Sequence, residues 1–224
     1  MTQDKWTAVD TYINEMLVSA DPALDAAQEA SVAAGLPVYA VSPTQGKLLY
    51  LLAQIQGARS ILEIGTLGGY STIWLARALP RGGRLVTLEF DPKHAEVASA
   101  NIAGAGLSKM VEVRIGPAMD TLPGLAAEGL GPFDMIFIDA DKKNNPGYFK
   151  WALKLSRKGS VILVDNVVRD GAVVDPSSAD PDIQGIRRLN ELLAAEPRVT
   201  ATAIQTVGSK GHDGFTLILV TANE

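Results

Sequence analysis

The chain has 224 residues, of which 47% are hydrophobic and 20% are charged, and its formal net charge is −5. These values suit an ordinary globular protein with a large core. The acidic balance disfavours a nucleic-acid partner, because an acidic surface repels a phosphate backbone. Cysteine is absent, which excludes disulfides, thiolate metal sites and a cysteine nucleophile, and which fits a cytoplasmic protein.

The first quarter of the chain is predicted to be helical. Apolar residues at helical spacing predict a helix over 4–20, and Asp21-Pro22 ends it and begins a second helix over 22–34. Ser42 before a proline is typical of an N-cap and predicts a third helix over 43–57. No window approaches the roughly 18 apolar residues of a membrane span. We expect these N-terminal helices, residues 1–57, to cover the site or a partner subunit and not to bind a membrane.

From residue 60 onward, short apolar runs alternate with helical segments. In chain order we predict strands over 60–64, 84–89, 111–115, 133–139 and 160–165, and helices over 70–79, 92–106, 118–128, 145–156 and 182–195. Such alternation is typical of a parallel sheet with helices on both faces. The last two strands, 200–207 and 214–220, have only a turn between them, which predicts an antiparallel end to the sheet. The expected fold class is α/β, a seven-stranded, mostly parallel, doubly wound sheet in a single domain whose core is residues 58–224.

Four of the predicted strands finish on an acid, namely Glu63, Glu89, Asp139 and Asp165. Ligands of open parallel sheets bind beyond the carboxyl ends of the strands. The alternative for each acid taken alone is that it merely caps the helix that follows, and this explains a single acid better than all four. Together the four predict an anionic cavity mouth, which costs stability unless a cationic group occupies it.

The loop GTLGG at residues 65–69 lets the backbone approach a ligand closely. Its spacing differs from the GxGxxG of dinucleotide-binding loops, and the acid before it would repel a diphosphate. S-adenosylmethionine has no phosphate and carries an ammonium and a sulfonium, so it suits this loop better. Glu89 stands where a carboxylate accepts hydrogen bonds from ribose hydroxyls. Ser71, aided by the dipole of its helix, is expected to hold the amino-acid carboxylate.

Six stretches of the chain occur together in a recognisable order: SPTQGKLL, LEIGTLGGYSTIWLA, TLEFDP, FDMIFIDADKKNNPGYF, ILVDNVVRDGAV and HDGFTLILV. With them, residues 36–222 resemble the metal-dependent O-methyltransferases of the catechol and caffeoyl-CoA type. The resemblance implies a Rossmann-like methyltransferase fold, an enzyme that uses S-adenosyl-L-methionine, and a homodimer. The cofactor contacts that it implies are Val41, Glu63, Gly65, Thr66, Ser71, Glu89, Ala118 and Asp139.

The same resemblance implies a metal triad of Asp139, Asp165 and Asn166. Two carboxylates and one amide oxygen suit a hard divalent cation, Mg²⁺ first and Mn²⁺ or Ca²⁺ as alternatives. An Asp-Asn pair after a strand is also typical of a plain turn. Lys142 matches the general base of the catechol enzymes and is assigned a catalytic role with Asp139; the alternative is a solvated surface lysine. Asp141 is expected near the sulfonium or behind the metal ligands, or as a plain loop acid.

The sequence specifies the methyl acceptor less precisely than the methyl donor or the metal site. Pro37 and Asp141 stand where the catechol enzymes flank the substrate with tryptophans, and Val207 stands where they carry a glutamate. We therefore expect a small phenolic acceptor, catechol-like or caffeoyl-type. Arg169 either guides an anionic acceptor or is a solvated loop residue. The alternatives are the same chemistry on a hydroxylated tRNA base, and a non-catalytic S-adenosylmethionine-binding protein.

Four other residues that often carry chemistry are expected to carry none here. His94 is predicted to lie on the surface of a helix and His212 in a turn. Trp74 and Trp151 fall within predicted helices and are interpreted as packing residues. With two histidines far apart in the sequence, a histidine metal site is not predicted.

Overall fold

A computed structural model describes residues 2–223 of the chain. Its α-helices are α1 (Gln3–Leu17), α2 (Pro22–Ala33), α3 (Pro43–Gln56), α4 (Tyr70–Ala78), α5 (Pro92–Gly104), α6 (Ala118–Ala127), α7 (Asn145–Lys154) and α8 (Pro181–Ala195). Its strands are β1 (Ser60–Ile64), β2 (Arg84–Glu89), β3 (Val111–Ile115), β4 (Met135–Ile138), β5 (Val161–Asp165), β6 (Val199–Gly208) and β7 (Gly211–Val220).

The strands form one seven-stranded sheet in the order β3-β2-β1-β4-β5-β7-β6. The first five run parallel, and β7 pairs antiparallel with both β5 and β6. The strand order reverses at β1, since β2 and β3 lie on one side of it and β4 and β5 on the other. This confirms the predicted α/β fold class, including the antiparallel hairpin at the end of the sheet. A reversal of this kind opens a crevice at the carboxyl ends of the strands, where ligands of such sheets bind.

Two hydrophobic layers hold the helices against the sheet. One contains Leu62, Ile136 and Ile162 and packs against α6, α7 and α8. The other contains Ile61, Leu85 and Phe137 and packs against α2, α3, α4 and α5. Strand side chains alternate between the faces, and both faces are apolar because helices cover both.

Four helices begin on a side chain that caps the first turn. Asp21, Ser42, Asp91 and Asp180 each accept a hydrogen bond from a backbone N–H two or three residues ahead. A proline follows each of them and lacks the N–H that the first helical position would leave unpaired. The predicted starts of α2 and α3 agree with this arrangement.

The prediction was wrong in detail at three places. The predicted helix 145–156 is preceded by a 3₁₀ turn, Lys142–Asn144, and ends at Lys154. β4 is shorter than the predicted strand 133–139. β7 begins at Gly211, so His212 lies in a strand and pairs with Val207, not in a turn.

The N-terminal helix α1 lies at the edge of the molecule. None of its described residues is buried, and its Tyr12, Met16 and Leu17 are among the exposed large hydrophobic residues. Gln3 donates to the carbonyl of Gly208 at 2.9 Å, which ties α1 to the β6–β7 turn. No helix within residues 2–223 is both long enough and apolar enough to cross a bilayer.

Candidate active site

A cavity of about 1170 Å³ opens at the carboxyl ends of the parallel strands. It is bordered by the loops after β1, β2, β3, β4 and β5, by the segment before α3, and by the β6–β7 hairpin. The cavity lining includes these predicted site residues: Val41, Gly65, Thr66, Ser71, Glu89, Ala118, Asp139, Lys142, Asp165 and Asn166. The sheet therefore brings together residues from six separate segments of the chain.

Three of the four strand-end acids reach this cavity, and Glu63 does not. Glu63 is fully buried beneath the cavity floor, and its carboxylate accepts hydrogen bonds from Ser71 Oγ at 2.6 Å and Thr87 Oγ1 at 2.7 Å, and from the Thr72 hydroxyl. Burial raises the pKa of Glu63 to about 7, although the hydrogen bonds from these hydroxyl groups act to lower it. The expectation of four acids at one rim is corrected to three. The physical reason is that alternate side chains of a strand point to opposite faces, and Glu63 points into the layer under α4.

The same contact changes the interpretation of Ser71. Its hydroxyl proton is donated to Glu63, so that proton is not available to a ligand carboxylate. Ser71 still lines the cavity in the first turn of α4, where a helix leaves its N–H groups without partners inside the helix. The backbone, not the hydroxyl, is the donor that Ser71 offers to the cavity.

The glycines of the 65–69 loop are required by the protein's own packing. A side chain on Gly65 would come within 2.1 Å of the Asp139 carbonyl oxygen, and Gly65 has φ 101°. A side chain on Gly68 would come within 2.1 Å of Ser31 Oγ in α2. The loop therefore packs closely against the end of β4 and against α2, and this packing requires glycine. The sequence analysis instead explains the glycines by close approach of a ligand.

Glu89, at the end of β2, is held firmly by backbone donors. Its Oε2 accepts from the N–H groups of Thr66 at 3.1 Å and Leu67 at 2.7 Å, and its Oε1 accepts from Asp91 N–H at 3.0 Å. His94 Nδ1 lies 3.5 Å from Oε1, so the predicted surface histidine is partly buried beside a site acid. Oε2 therefore uses both of its acceptor positions within the protein, and Oε1 keeps one for a ligand in the cavity.

Asp139 and Asp165 stand close enough at the ends of β4 and β5 for the charge of Asp139 to affect Asp165. Burial, and then the charge of Asp139, raise the pKa of Asp165 to about 7. Gln45 Nε2, in α3, donates to Asp165 Oδ2 at 2.6 Å. Asn166 follows with φ 55°, a left-handed conformation that asparagine tolerates better than most residues. These are three oxygen-bearing side chains at one end of the cavity, two carboxyl groups and one amide.

Lys142 is buried and donates to Asp139 Oδ1 at 2.8 Å. It is not a solvated surface lysine, because the 3₁₀ turn that carries it packs closely against α8 at Gly185. Within residues 2–223, no three His, Cys, Asp or Glu side chains form a group that could hold a metal ion. The predicted triad has two carboxylates and an amide, so any cation bound there also needs oxygens from solvent or substrate.

Asp141 is a supporting residue. Its Oδ1 accepts from the Tyr148 hydroxyl and its Oδ2 accepts from Asn144 Nδ2 at 2.6 Å. Burial, and the hydrogen bond and charge of Asp141, raise the pKa of Tyr148. Asp141 therefore fixes the turn that carries Lys142 to the start of α7.

Sequence reasoning missed three residues of the site. Gln45 lies in the stretch SPTQGKLL, but the sequence analysis assigns it no role. Asp213 Oδ1 accepts from the N–H groups of Val168 and Arg169, each at 3.0 Å, and so fixes the loop after Asn166. Lys210 donates to the carbonyl of Tyr39 at 3.1 Å. No spacing signal marks these contacts, because each joins segments far apart in the chain.

The two helical tryptophans pack as predicted. Trp74 is buried, with its ring centroid 6.3 Å from that of Tyr50 in an edge-on arrangement. Trp151 packs against the other hydrophobic layer, with Lys154 Nζ 4.7 Å from the centre of its ring. Neither tryptophan lines the cavity.

The sheet order, the antiparallel hairpin and the acid-lined crevice together define a Rossmann-like methyltransferase architecture. The model of the O-methyltransferase family matches residues 14–220. The chain therefore belongs to the O-methyltransferase family, and it is an enzyme.

Three similar proteins illustrate how close the relationship is. A catechol O-methyltransferase of Niastella koreensis is 55% identical over 220 residues, which is 98% of this chain and 100% of the relative. The O-methyltransferase of Bacillus cereus, solved in complex with S-adenosylhomocysteine, is 61% identical with a TM-score of 0.97, covering 98% of this chain and 100% of that one. An O-methyltransferase of tomaymycin synthesis from Streptomyces achromogenes, solved with S-adenosylmethionine, is 56% identical with a TM-score of 0.96, covering 99% and 100%.

Proposed function

We propose that this protein transfers a methyl group from S-adenosylmethionine to a hydroxyl of a catechol-like or caffeoyl-type phenol, with the help of a divalent cation. The observation that carries the proposal is the pairing of Asp139 and buried Asp165 in one cavity with Glu89. Two carboxylates at one end suit a hard cation, and a third at the other end suits a ribose. The family and the catechol O-methyltransferase relative support the same reaction.

The methyl donor is assigned to the end of the cavity near β2. Glu89 is immobilised by three backbone N–H groups and accepts a ribose hydroxyl with the remaining acceptor position of Oε1. The first-turn N–H groups of α4, at Tyr70 and Ser71, suit the amino-acid carboxylate. Ala118, at the start of α6, borders the adenine, and Val41 closes the opposite wall.

Asp139, Asp165 and Asn166 fit a divalent cation by the chemistry of their donors. The charge of Asp139 disfavours ionisation of Asp165, and a cation between them would remove this cost. When bound, the cation supplies Lewis-acid polarisation of a phenolic hydroxyl. Mg²⁺ is the first choice for an all-oxygen site, with Mn²⁺ or Ca²⁺ as alternatives.

Lys142 is assigned the role of general base. Its Nζ is 2.8 Å from Asp139 Oδ1, and its burial keeps it at the cavity wall and out of bulk solvent. For this role the amine must first give up its own proton, which burial and a bound cation beside it would favour. The phenol proton then passes to the amine, the new bond forms between oxygen and methyl carbon, and the bond from that carbon to sulfur breaks. Proton transfer to a positioned side chain of this kind contributes about 10²–10⁴-fold to a rate.

The functional unit is proposed to be a homodimer formed through an exposed apolar face. This face comprises Val9, Tyr12, Met16 and Leu17 of α1, Leu51 and Ile55 of α3, and Ile204 of β6. β6 is the edge strand of the sheet and almost all of its residues are exposed. An apolar face beside an open strand edge is a typical interaction surface.

A cytoplasmic location stays a prediction of the sequence.

The test of the function is methyl transfer from labelled S-adenosylmethionine to catechol and caffeate, with and without Mg²⁺. We expect transfer with Mg²⁺ and its loss in EDTA. Asp165→Asn should lose transfer while still binding S-adenosylhomocysteine, because the donor end lies apart from β5. Transfer that is unaffected by EDTA would overturn the metal role, and transfer to total tRNA in place of catechols would overturn the acceptor class.

A further inference from the structure

The cavity has two ends, because the strands that border it are spread across the sheet. β2, which carries Glu89, and β5, which carries Asp165, are separated by β1 and β4. Neighbouring strands lie about 4.8 Å apart, so β2 and β5 are roughly 14 Å apart across the sheet. With the donor near β2, the acceptor and its substituents occupy the end bordered by β5, β7 and the β6–β7 hairpin.

Arg169 stands at this acceptor end, three positions after Asn166, and lines the cavity. Its backbone has φ 55°, a left-handed conformation that is uncommon for a residue other than glycine. The Asp213 carboxylate holds the conformation by accepting from Arg169 N–H at 3.0 Å. A non-glycine residue fixed in this way at a cavity mouth points to a role for its side chain.

Arg169 differs from the other basic residues of the cavity lining in the partners of its side chain. The basic residues that line the cavity are Lys142, Lys143, Arg169 and Lys210. Lys142 is paired with Asp139. Lys143 lies 3.9 Å from Asp141. Lys210 donates to backbone carbonyls. Of these four, only Arg169 makes no side-chain hydrogen bond or ion pair with any residue of the described 2–223 range, and it is exposed at the rim of the cavity.

We propose that Arg169 recognises a carboxylate on the side chain of the phenolic acceptor, so that anionic catechols are the preferred substrates. This inference rests on the proposed function and narrows its acceptor. A guanidinium offers a planar fork of donors that matches a carboxylate. Lys210 adds a second positive charge nearby, because Asp170 N–H donates to the carbonyl of His212 at 3.0 Å and so joins the Arg169 loop to the hairpin.

The experiment compares two acceptors that differ only in charge. One is a catechol with an acetate side chain and the other is the same catechol with an acetamide side chain, which has nearly the same shape. The kcat/KM of wild-type protein is measured for both with Mg²⁺ and S-adenosylmethionine. Equilibrium binding of both to the protein loaded with Mg²⁺ and S-adenosylhomocysteine is measured by calorimetry.

Arg169→Gln removes the charge, and Arg169→Asn removes it with a residue that tolerates the left-handed backbone. The matched control is Arg188→Gln, on α8 outside the cavity lining, where the guanidinium bonds only to Gln184. Arg169→Lys keeps the charge and should keep part of the preference.

We expect the acetate to be preferred by wild type, and both neutral Arg169 variants to lose about 5- to 20-fold in kcat/KM and affinity for the acetate alone. The acetamide and the Arg188→Gln control should be unchanged. Equal losses for the two acceptors, or no loss for either, would overturn the role of Arg169 while the methyl transfer itself stands. Failure of wild type to methylate either catechol would overturn the proposed function as well.

Discussion

Glu63 shows how one buried residue organises the end of the cavity beside α4. Its carboxylate lies under α4 and accepts hydrogen bonds from the hydroxyl groups of Ser71, Thr72 and Thr87. Among the described residues it has no cationic partner. Through Ser71 and Thr72 it fixes the first turn of α4, where Tyr70 and Ser71 line the cavity. A buried acid of this kind makes stability depend on pH.

We predict that stability falls with rising pH and that Glu63 contributes to the fall. The pKa of Glu63 is raised to about 7, so the folded chain binds a proton more tightly there than the unfolded chain does. The favourable contribution is full at acid pH, below the ordinary carboxyl range, and is lost as pH rises through 7. Urea unfolding in EDTA between pH 4 and 8 should show a decrease on the order of 3 kcal/mol from this group.

Glu63→Gln should flatten that profile, since glutamine does not titrate. Glu96→Gln, an exposed position on α5, is the control and should leave the profile as it is. An equally steep profile in Glu63→Gln would show that the burial of this carboxylate does not set the pH dependence.

Gln45 gives a prediction about the proposed metal site. Its Nε2 holds Asp165 Oδ2 at 2.6 Å, and leucine at this position cannot donate that bond. Residues that orient a ligand in this way change metal affinity by about 10- to 100-fold when they are replaced. We expect Gln45→Leu to weaken Mn²⁺ binding by about 10-fold in an electron paramagnetic resonance titration.

Gln54→Leu is the matched control for this measurement. Gln54 lies on the same helix, outside the cavity, and donates to the carbonyl of Ala78 at 2.6 Å. If Gln45→Leu and Gln54→Leu bind Mn²⁺ as wild type does, Gln45 does not position Asp165 for a cation.

For single residues, the sequence predicts which strands carry an acid near their carboxyl end. It does not predict the direction in which each carboxylate points. Glu89 and Asp165 are the last residues of their strands and open into the cavity, whereas Glu63 is the last but one and turns away. A shift of one residue along a strand reverses the face of a side chain. Gln45 and Asp213 were missed because their partners lie far away in the chain.

At the scale of elements, the β6–β7 hairpin closes one wall of the cavity. Lys210, at its turn, donates to the carbonyls of Tyr39 and Ala40 in the segment before α3. Partial burial lowers the pKa of Lys210, and the charges of Asp139 and Asp165 oppose this shift. The lysine therefore ties the hairpin to the segment that carries Val41.

We predict that Lys210→Met loosens this segment. Without the donated bonds, amides of residues 38–42 should exchange with deuterium about 10-fold faster, as expected for the loss of a charged hydrogen bond. Mass spectrometry of the exchanged peptides gives the measurement. Lys109→Met, at an exposed turn outside the cavity, is the control. Unchanged exchange at 38–42 in Lys210→Met would rule out the tie.

Element boundaries were predictable where local signals are strong. β1, β2 and β3 have the predicted limits, and the capped starts of α2, α3 and α5 agree with the Asp-Pro or Ser-Pro pairs before them. The hairpin was shorter in prediction than in the structure, because polar residues such as His212 conceal the extended register of β7. The 3₁₀ turn of Lys142 depends on packing against α8, which no local pattern reveals.

At the scale of the whole molecule, the exposed apolar face of α1, α3 and β6 predicts self-association. Sedimentation velocity at micromolar concentration should show a dimer for wild type. Leu17→Glu should shift the protein toward monomer, because it places a charge where an apolar contact is expected. Val174→Glu, at an exposed apolar position away from this face, is the control and should remain dimeric. A monomeric wild type would contradict the homodimer.

The single-domain organisation and the covering role of residues 1–57 stay predictions at this scale. Val41 and Gln45 belong to that N-terminal part and line the cavity, whereas α1 meets it only through Asp10. The net charge of −5 is consistent with a small-molecule acceptor. The local cation Arg169 fits an anionic one without changing that overall balance.

The most direct test of the account is a crystal structure of the protein with Mg²⁺, S-adenosylhomocysteine and a catechol. We predict one cation held by Asp139, Asp165 and Asn166, both catechol oxygens beside it, and the ribose of S-adenosylhomocysteine on Glu89. A cation bound elsewhere, or a catechol whose oxygens lie away from these three residues, would contradict the central claim.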